Sequence, residues 1–358
     1  MYVKQVNGYE EFGKENWVWK LNKSLHGTKQ APQMWQLKLC TALTQCGVEK
    51  AKSDDSLYLN HNKSLILHMH VEDGFLIGKE DSVITTFLKS LGYKMKWYRD
   101  GSIGLSKPNL IKKLIHDQDM SERKRMNTPC NGNLMMEINN EGETIAITPY
   151  QQAIGSLSYL AQHTRPEITF TVNQLSRYST KPTGKHWTAI KHLLRYLKGT
   201  MKFVLEFTKT TNKTLLAGWV DADYANDKSD CKSISGYAIT FFGNPISWWS
   251  KKQSVVAQST TEAEFFSMNV CVEQLCWMSY LLSDMGYDSA RPVLFNDNSG
   301  TTTISKQASL KINTKHIEIR FQYVCDLVLK KQLDIVQVAS ADMIADVLTK
   351  PLGLQKLN

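Results

Sequence analysis

The sequence predicts an α/β (α+β) protein of two domains, residues 1–205 and 206–358, the second of them built on a mixed sheet. Three observations predict it. The 358 residues are 42% hydrophobic and 22% charged, the composition of folded cores, and the length suits about two domains at ~100–200 residues each. Apolar residues recur at helical spacing over 149–200, whereas 215–338 alternates short apolar or aromatic runs with helical ones. Charge divides at the same place. Residues 1–205 hold 28 Lys and Arg against 18 Asp and Glu, net +10, while residues 206–358 hold 15 against 16, net −1. A basic half attracts polyanions, with nucleic acid the natural candidate, and a near-neutral half can concentrate carboxylates.

Composition also excludes classes of protein. No run reaches the ~18 apolar residues of a spanning helix, and the first residues lack the apolar stretch of a signal peptide. An intracellular protein, in cytoplasm or nucleus and without a membrane partner, is expected. The seven cysteines are odd in number, irregularly spaced and without a C-x-x-C pair, which signals neither a disulfide framework nor a zinc site.

Along the chain, Trp17 to Leu21 has the β-branched and aromatic content of a strand. A loop from Ser24 to Pro32 follows, and Pro32 suits the first turn of a helix carrying Trp35, Leu37, Leu39 and Leu43. Ser56–Leu59 and Ser64–Met69 read as strands. His68 to Gly78 reads as a hairpin whose turn presents Glu72 and Asp73. The stretch 99–146 is polar and turn-rich without a strong period, and is expected to be the most flexible part. Helices follow from Pro149 to Thr200 and stop at Gly199, and a strand spans Met201 to Phe207.

In the C-terminal half, Leu215–Val220 is a strand ending on Asp221, and Tyr237–Phe242 with Ile246–Trp249 is a hairpin. Ser259-Thr260-Thr261-Glu262 is a capping box that opens a helix running to about Asp284. Pro292–Asn296 is a strand ending on Asp297, with Asn298 and Ser299 placed to open a short helix. A helix near 317–329 and a strand at 333–338 precede Asp346.

Asp221, Glu264, Asp297 and Asp346 thus stand at strand ends, in the first turns of a helix and after the last strand. Gathered on one edge, they would crowd negative charge that only cations relieve. Oxygen ligands without Cys or His imply Mg²⁺ or Mn²⁺, and two such ions suit phosphodiester hydrolysis. The competing reading makes the aspartates turn formers and Glu264 a solvated helix residue. Glu262 and Glu264 lie two apart on the helix and face different directions. Glu262 holds the capping position, which leaves Glu264 for the metal.

The runs Val220-Asp221-Ala222-Asp223, Ser247-Trp248-Trp249-Ser250-Lys251-Lys252-Gln253, Ser259-Thr260-Thr261-Glu262-Ala263-Glu264, Asp297-Asn298-Ser299 and Asp346-Val347-Leu348-Thr349-Lys350-Pro351 resemble the RNase H domain of copia-type retrotransposon polyproteins. Leu21 to Pro32 with Trp35, Gly155-Ser156-Leu157, Thr164-Arg165-Pro166 and Leu194 to Thr200 resemble the same family's reverse transcriptase. The resemblance implies a truncated palm and thumb-like region over 1–205, followed by an RNase H-like domain over 206–358. It implies two Mg²⁺ ions, or Mn²⁺, on Asp221, Glu264, Asp297 and Asp346. It also implies contacts of Lys29, Gln30, Trp35, Arg165, Lys251 and Lys252 with an RNA–DNA hybrid or a template RNA or DNA, alongside other parts of a Pol polyprotein.

Three departures point away from polymerisation. The family's first catalytic aspartate would precede Met1. Its Tyr-Val-Asp-Asp hairpin reads His70-Val71-Glu72-Asp73 here, with Glu72 a methylene too long for a geometry-demanding Mg²⁺ site. The chain is also shorter than the family pattern between Ser82 and Gly92. The expected activity is therefore metal-dependent cleavage of RNA in RNA–DNA hybrids. A non-catalytic nucleic-acid-binding module and an inactive relic of the element are the alternatives.

Overall fold

The computed structural model describes residues 2–4, 18–20, 37, 40–70, 73–78, 103–131, 144–208, 216–227, 229–287, 291–305, 315–351 and 353, with 2–4, 18–20, 69–70, 73–78, 103 and 315–320 described through backbone alone. By packing, the chain falls into two compact units. One holds Met1–Trp97 with Tyr280–Tyr287, and the other Tyr98–Ser279 with Asp288–Asn358. Residues 98–205, expected with the N-terminal domain, therefore share a unit with the C-terminal sheet.

In the first unit, β1 (Tyr2–Lys4) pairs antiparallel with β2 (Val18–Lys20). A four-stranded antiparallel sheet runs in order β3 (Val48–Lys50), β4 (Leu57–Asn60), β5 (Leu65–His70) and β6 (Asp73–Gly78). Period-two patterning puts Leu57, Leu65 and Leu67 in its core. The β5–β6 hairpin is the one expected, with His70 opposite Asp73.

The second unit begins with β7 (Ile103–Leu105) and α1 (Pro108–Asp117), inside the stretch expected to be irregular. Ile111, Leu114 and Ile115 form a short apolar stripe that α1 buries, and Pro108 sits at its first turn, where a missing N–H costs nothing. Leu110 packs against the same cluster, so apolar residues at 110, 111, 114 and 115 repeat at helical spacing within a stretch that is otherwise polar. Helices α2 (Ile147–His163), α3 (Thr169–Ser176) and α4 (Gly184–Gly199) close over it through Tyr150, Leu157, Leu160, Leu175, Ile190, Leu193 and Leu197, each fully buried. β8 (Leu205–Phe207) pairs with β7.

His186 caps α4. Its Nδ1 accepts from the Thr183 backbone N–H at 2.8 Å and lies 2.9 Å from Thr183 Oγ1, and its ring stacks on Tyr178. Nε2 is buried with no hydrogen-bond partner among the described residues. Burial pushes the imidazole down to about 4. The unfolded chain takes up a proton as pH falls through ~6.5, whereas the folded one does so only near 4. Stability is therefore expected to fall between those values by about 3 kcal/mol, and His186→Gln is expected to flatten that slope in urea titrations run across pH.

The C-terminal sheet has order β11-β10-β9-β12-β13, formed by β9 (Leu216–Asp223), β10 (Ile234–Phe241), β11 (Asn244–Lys252), β12 (Val293–Asn296) and β13 (Asp334–Gln337). β9 to β11 are antiparallel, and β12 runs parallel to both β9 and β13. α5 (Thr260–Asp284) lies against this sheet, burying Met268, Cys271, Val272 and Leu275. Gly218 permits that approach, because a Cβ there would stand 2.8 Å from both Cys271 Sγ and Leu275 Cδ1. Gly218→Ala is expected to cost about 1–3 kcal/mol by overpacking, read as a lower midpoint in thermal unfolding. α6 (Ser299–Ser305) and α7 (Lys315–Leu329) complete the unit, with two 3-10 turns at Ser340–Asp342 and Ile344–Leu348.

The helices over 144–200 meet the sheet directly. Asn173 Nδ2 donates to Ser250 O at 2.7 Å, and Trp248 Nε1 donates to Ala161 O at 2.7 Å. Side-chain bonds of this kind, both partly buried, tie these helices to the sheet across residue 205. Among the described residues, no helix is long and apolar enough to cross a membrane.

Candidate metal centre

Asp221 lies on β9, the central strand of the sheet, opposite Gly236 of β10, and is 1% exposed. Glu264 comes from the second turn of α5, and Asp297 follows β12 directly. Each offers an oxygen within 4.8 Å of those of the other two. The local chemistry of α5 assigns its two glutamates as the sequence suggests. Ser259 Oγ accepts from the Glu262 N–H at 3.1 Å, and Glu262 Oε2 accepts from the Gln258 N–H at 2.7 Å. Glu262 is thereby spent on the helix terminus, and Glu264, two residues on, turns inward.

The bonds around the three carboxylates orient them. Glu264 Oε2 accepts from Asn296 Nδ2 at 2.9 Å, and Oε1 accepts from the Ala222 N–H at 3.3 Å. Asp297 Oδ2 accepts from Ser340 Oγ at 2.7 Å. Thr349 Oγ1 donates to Asp221 Oδ2. Asp346, in the last 3-10 turn, is 3% exposed and joins the group through Lys350, whose Nζ is 2.8 Å from Asp346 Oδ1 and 3.2 Å from Asp221 Oδ2. Burial opposes the charge on Lys350, but Asp221 and Asp346 outweigh it and hold the ammonium above its ordinary range.

The centre remains short of positive charge. Burial, and next the charge on Asp221, push Glu264 up to about 8, and burial raises Asp221 as well. Three carboxylates on three elements, two of them buried, fit a divalent cation with oxygen ligands, which would repay their desolvation. Millimolar Mg²⁺ is accordingly expected to raise the thermal midpoint of the full chain, and Asp297→Asn to reduce that rise. Asn296→Ala, which strips Glu264 Oε2 of its donor, is expected to weaken divalent binding by ~10–100-fold in calorimetry.

Other expected site residues fare differently. Lys29, Gln30, Trp35 and Glu72 lie outside the described residues, and Asp73 is described only as the backbone that opens β6. Arg165, expected at phosphate, is 2% exposed. Its guanidinium is held by Glu167 at 2.6 Å and by Thr200 Oγ1 and O at 2.5 and 3.3 Å. Lys252 is likewise taken by the fold, 2.6 Å from Asp227 and 2.7 Å from Asp230, with Arg177 on the same Asp227. Lys251, on the opposite face of β11, is exposed. The sequence reading gave no role to Lys350, Thr349, Asn296 or Ser340. For Lys350 a signal existed in its spacing, four residues after Asp346, the distance at which a helical turn pairs charges.

Residues 1–131 match the family described as reverse transcriptase (RNA-dependent DNA polymerase). The chain is 33% identical, over 99% of its length, to the retrovirus-related Pol polyprotein from transposon TNT 1-94 of Nicotiana tabacum, and equally to that from transposon RE1 of Arabidopsis thaliana. It belongs to the copia-type retrotransposon Pol family. This copia-type chain spans 29% and 25% of those two polyproteins. Among solved structures it is similar to a foamy viral protease-reverse transcriptase in complex with RNA/DNA hybrid, at 10% identity over 90% of this chain and 39% of that one, with a TM-score of 0.47. It is also similar to LC11-RNase H1, isolated from compost, at 16% identity over 38% of this chain and 93% of that one, with a TM-score of 0.30.

Proposed function

We propose that this copia-type chain is a divalent-metal-dependent endonuclease that hydrolyses RNA in RNA–DNA hybrids, with Asp221, Glu264 and Asp297 holding Mg²⁺ or Mn²⁺ and Asp346 beside them. The convergence of the three carboxylates within 4.8 Å, from a strand, a helix and the residue that follows a second strand, carries this reading. Bound divalent ions would supply Lewis acidity, activating a water and stabilising the leaving oxygen of a phosphodiester. The chain's own part is preorganisation. Asn296 and the Ala222 N–H aim the two oxygens of Glu264, Ser340 aims Asp297, and Thr349 fixes Asp221. Such orienting bonds hold a site within the narrow tolerance that hydrolysis of a charged backbone demands.

The basic N-terminal half supports a nucleic-acid substrate through its net +10. We place catalysis in the C-terminal carboxylates and not in the β5–β6 hairpin, because Glu72 stands where the family carries an aspartate. Incubating the full chain with a labelled RNA–DNA hybrid in Mg²⁺, Mn²⁺ or EDTA tests this. Metal-dependent cutting of the RNA strand is expected. A folded chain that binds hybrid without cutting it in any metal would favour the binding module instead.

A further inference from the structure

Asp221 faces charged groups on two sides. Toward Glu264 and Asp297 it contributes to the three-carboxylate group. Toward Asp346, its Oδ1 and Oδ2 lie 3.3 and 3.2 Å from Lys350 Nζ, which is 2.8 Å from Asp346 Oδ1. Asp346 is not among the three converging carboxylates, and the ammonium stands between it and Asp221. We propose that Lys350 is the resident cation of the Asp221–Asp346 position, so that the centre takes one divalent ion on Asp221, Glu264 and Asp297 readily and a second only by displacing Lys350. The proposal rests on the reading of this centre as a metal site and adds to it an order of loading and its cause.

Three features hold Lys350 in place. Thr349 and Lys350 donate their backbone N–H groups to Asp346 O at 3.2 and 3.0 Å, so the lysine sits one helical turn beyond its partner. Thr349 Oγ1 ties the same turn to Asp221. Gly236, the register partner of Asp221 on β10, makes room for the turn, since a Cβ there would stand 2.7 Å from Thr349 Cγ2 and 2.8 Å from Leu348 Cβ. The segment 348–350 thus presses on the sheet beside Asp221.

Charge and mobility then act together. Asp221 and Asp346 have side chains only 2% and 5% exposed, so the pairing is screened far less than a surface ion pair. The Lys350 side chain is 36% exposed and rides on a flexible four-carbon stem, which gives Nζ a route to solvent when a stronger cation arrives. A lysine therefore provides one compensating charge that keeps buried carboxylates apart from each other and yields to a second divalent ion only at higher concentration.

The test is Mn²⁺ binding to the full chain, followed by paramagnetic resonance of free Mn²⁺ and by calorimetry, with no turnover involved. Wild type is expected to show two sites whose Kd values differ by ~10-fold or more. Lys350→Met is expected to strengthen the weaker site by ~10-fold or more and to leave the tighter one within about twofold. Lys350→Arg, which keeps the charge, is expected to retain the wild-type order. Gly236→Ala, which pushes 348–350 outward without altering any charge, is expected to shift toward the Met variant, and these two variants carry the test should Lys350→Met fail to fold. Equal sites in wild type, or an unchanged or weaker second site in Lys350→Met, would overturn the proposal. If wild type binds no Mn²⁺ and Asp297→Asn behaves identically, the metal reading itself falls and this assignment with it. If Asp297→Asn loses the tight site while Lys350→Met changes nothing, only the role of Lys350 falls.

Discussion

Asp297→Asn is expected to lower hybrid cleavage by the full chain by ~10²-fold or more while leaving its folding unchanged. Asp297 is the most informative of the carboxylates because it is the least committed to the fold. It is half-buried at the end of β12, and its one side-chain bond among the described residues comes from Ser340 Oγ, which an amide oxygen can still accept. The change is nearly isosteric, so it removes one negative charge and one hard ligand without opening a cavity. Asp221 and Glu264 are poorer tests, since both are buried and bonded to Thr349, Lys350, Asn296 and backbone, and their loss would disturb packing as well as chemistry. Initial rates in Mg²⁺, with circular dichroism and thermal midpoints alongside, check the expectation. Undiminished cutting in a folded variant would remove Asp297 from the chemistry and with it the site proposed here.

Leu157→Ala is expected to destabilise the second unit by about 2–5 kcal/mol. Leu157 on α2 is 0% exposed and belongs to the cluster that joins α1, α2, α3 and α4, so truncation forfeits burial and leaves a void that the surrounding helices can only partly fill. Ile147, on the same helix but 41% exposed, provides the internal control, and its change to Ala is expected to stay within about 0.5 kcal/mol. Urea unfolding gives both numbers. A lower midpoint with an unchanged slope assigns the loss to stability, whereas a changed slope would show that the unit unfolds in more than one step.

The elements of residues 216–338 were legible in the sequence because local rules carry them. Short apolar runs bounded by turn residues mark β9 and β10, and the capping box at Ser259–Glu262 fixes where α5 begins and therefore which glutamate faces the sheet. The identity of the four carboxylates followed from their place at element ends and from the resemblance of the surrounding motifs. α1 was missed although Leu110, Ile111, Leu114 and Ile115 carry helical spacing, because one ten-residue helix is diluted within the polar stretch 99–146 and gains a core only when α2 and α4 supply the surface it packs on.

Tertiary structure alone decided which distant groups the charges meet. The resemblance offered Arg165 and Lys252 as nucleic-acid contacts, yet Glu167, Thr200, Asp227 and Asp230 hold them, because a basic residue in a sequence does not show whether its counter-ion will be a side chain of the same chain or a ligand. Lys350 is the reverse case: its spacing from Asp346 was readable, but only the fold brings it to Asp221 as well. Periodicity and capping act over a few residues and are written in the sequence. Electrostatic pairing acts across space, at distances only the folded chain sets.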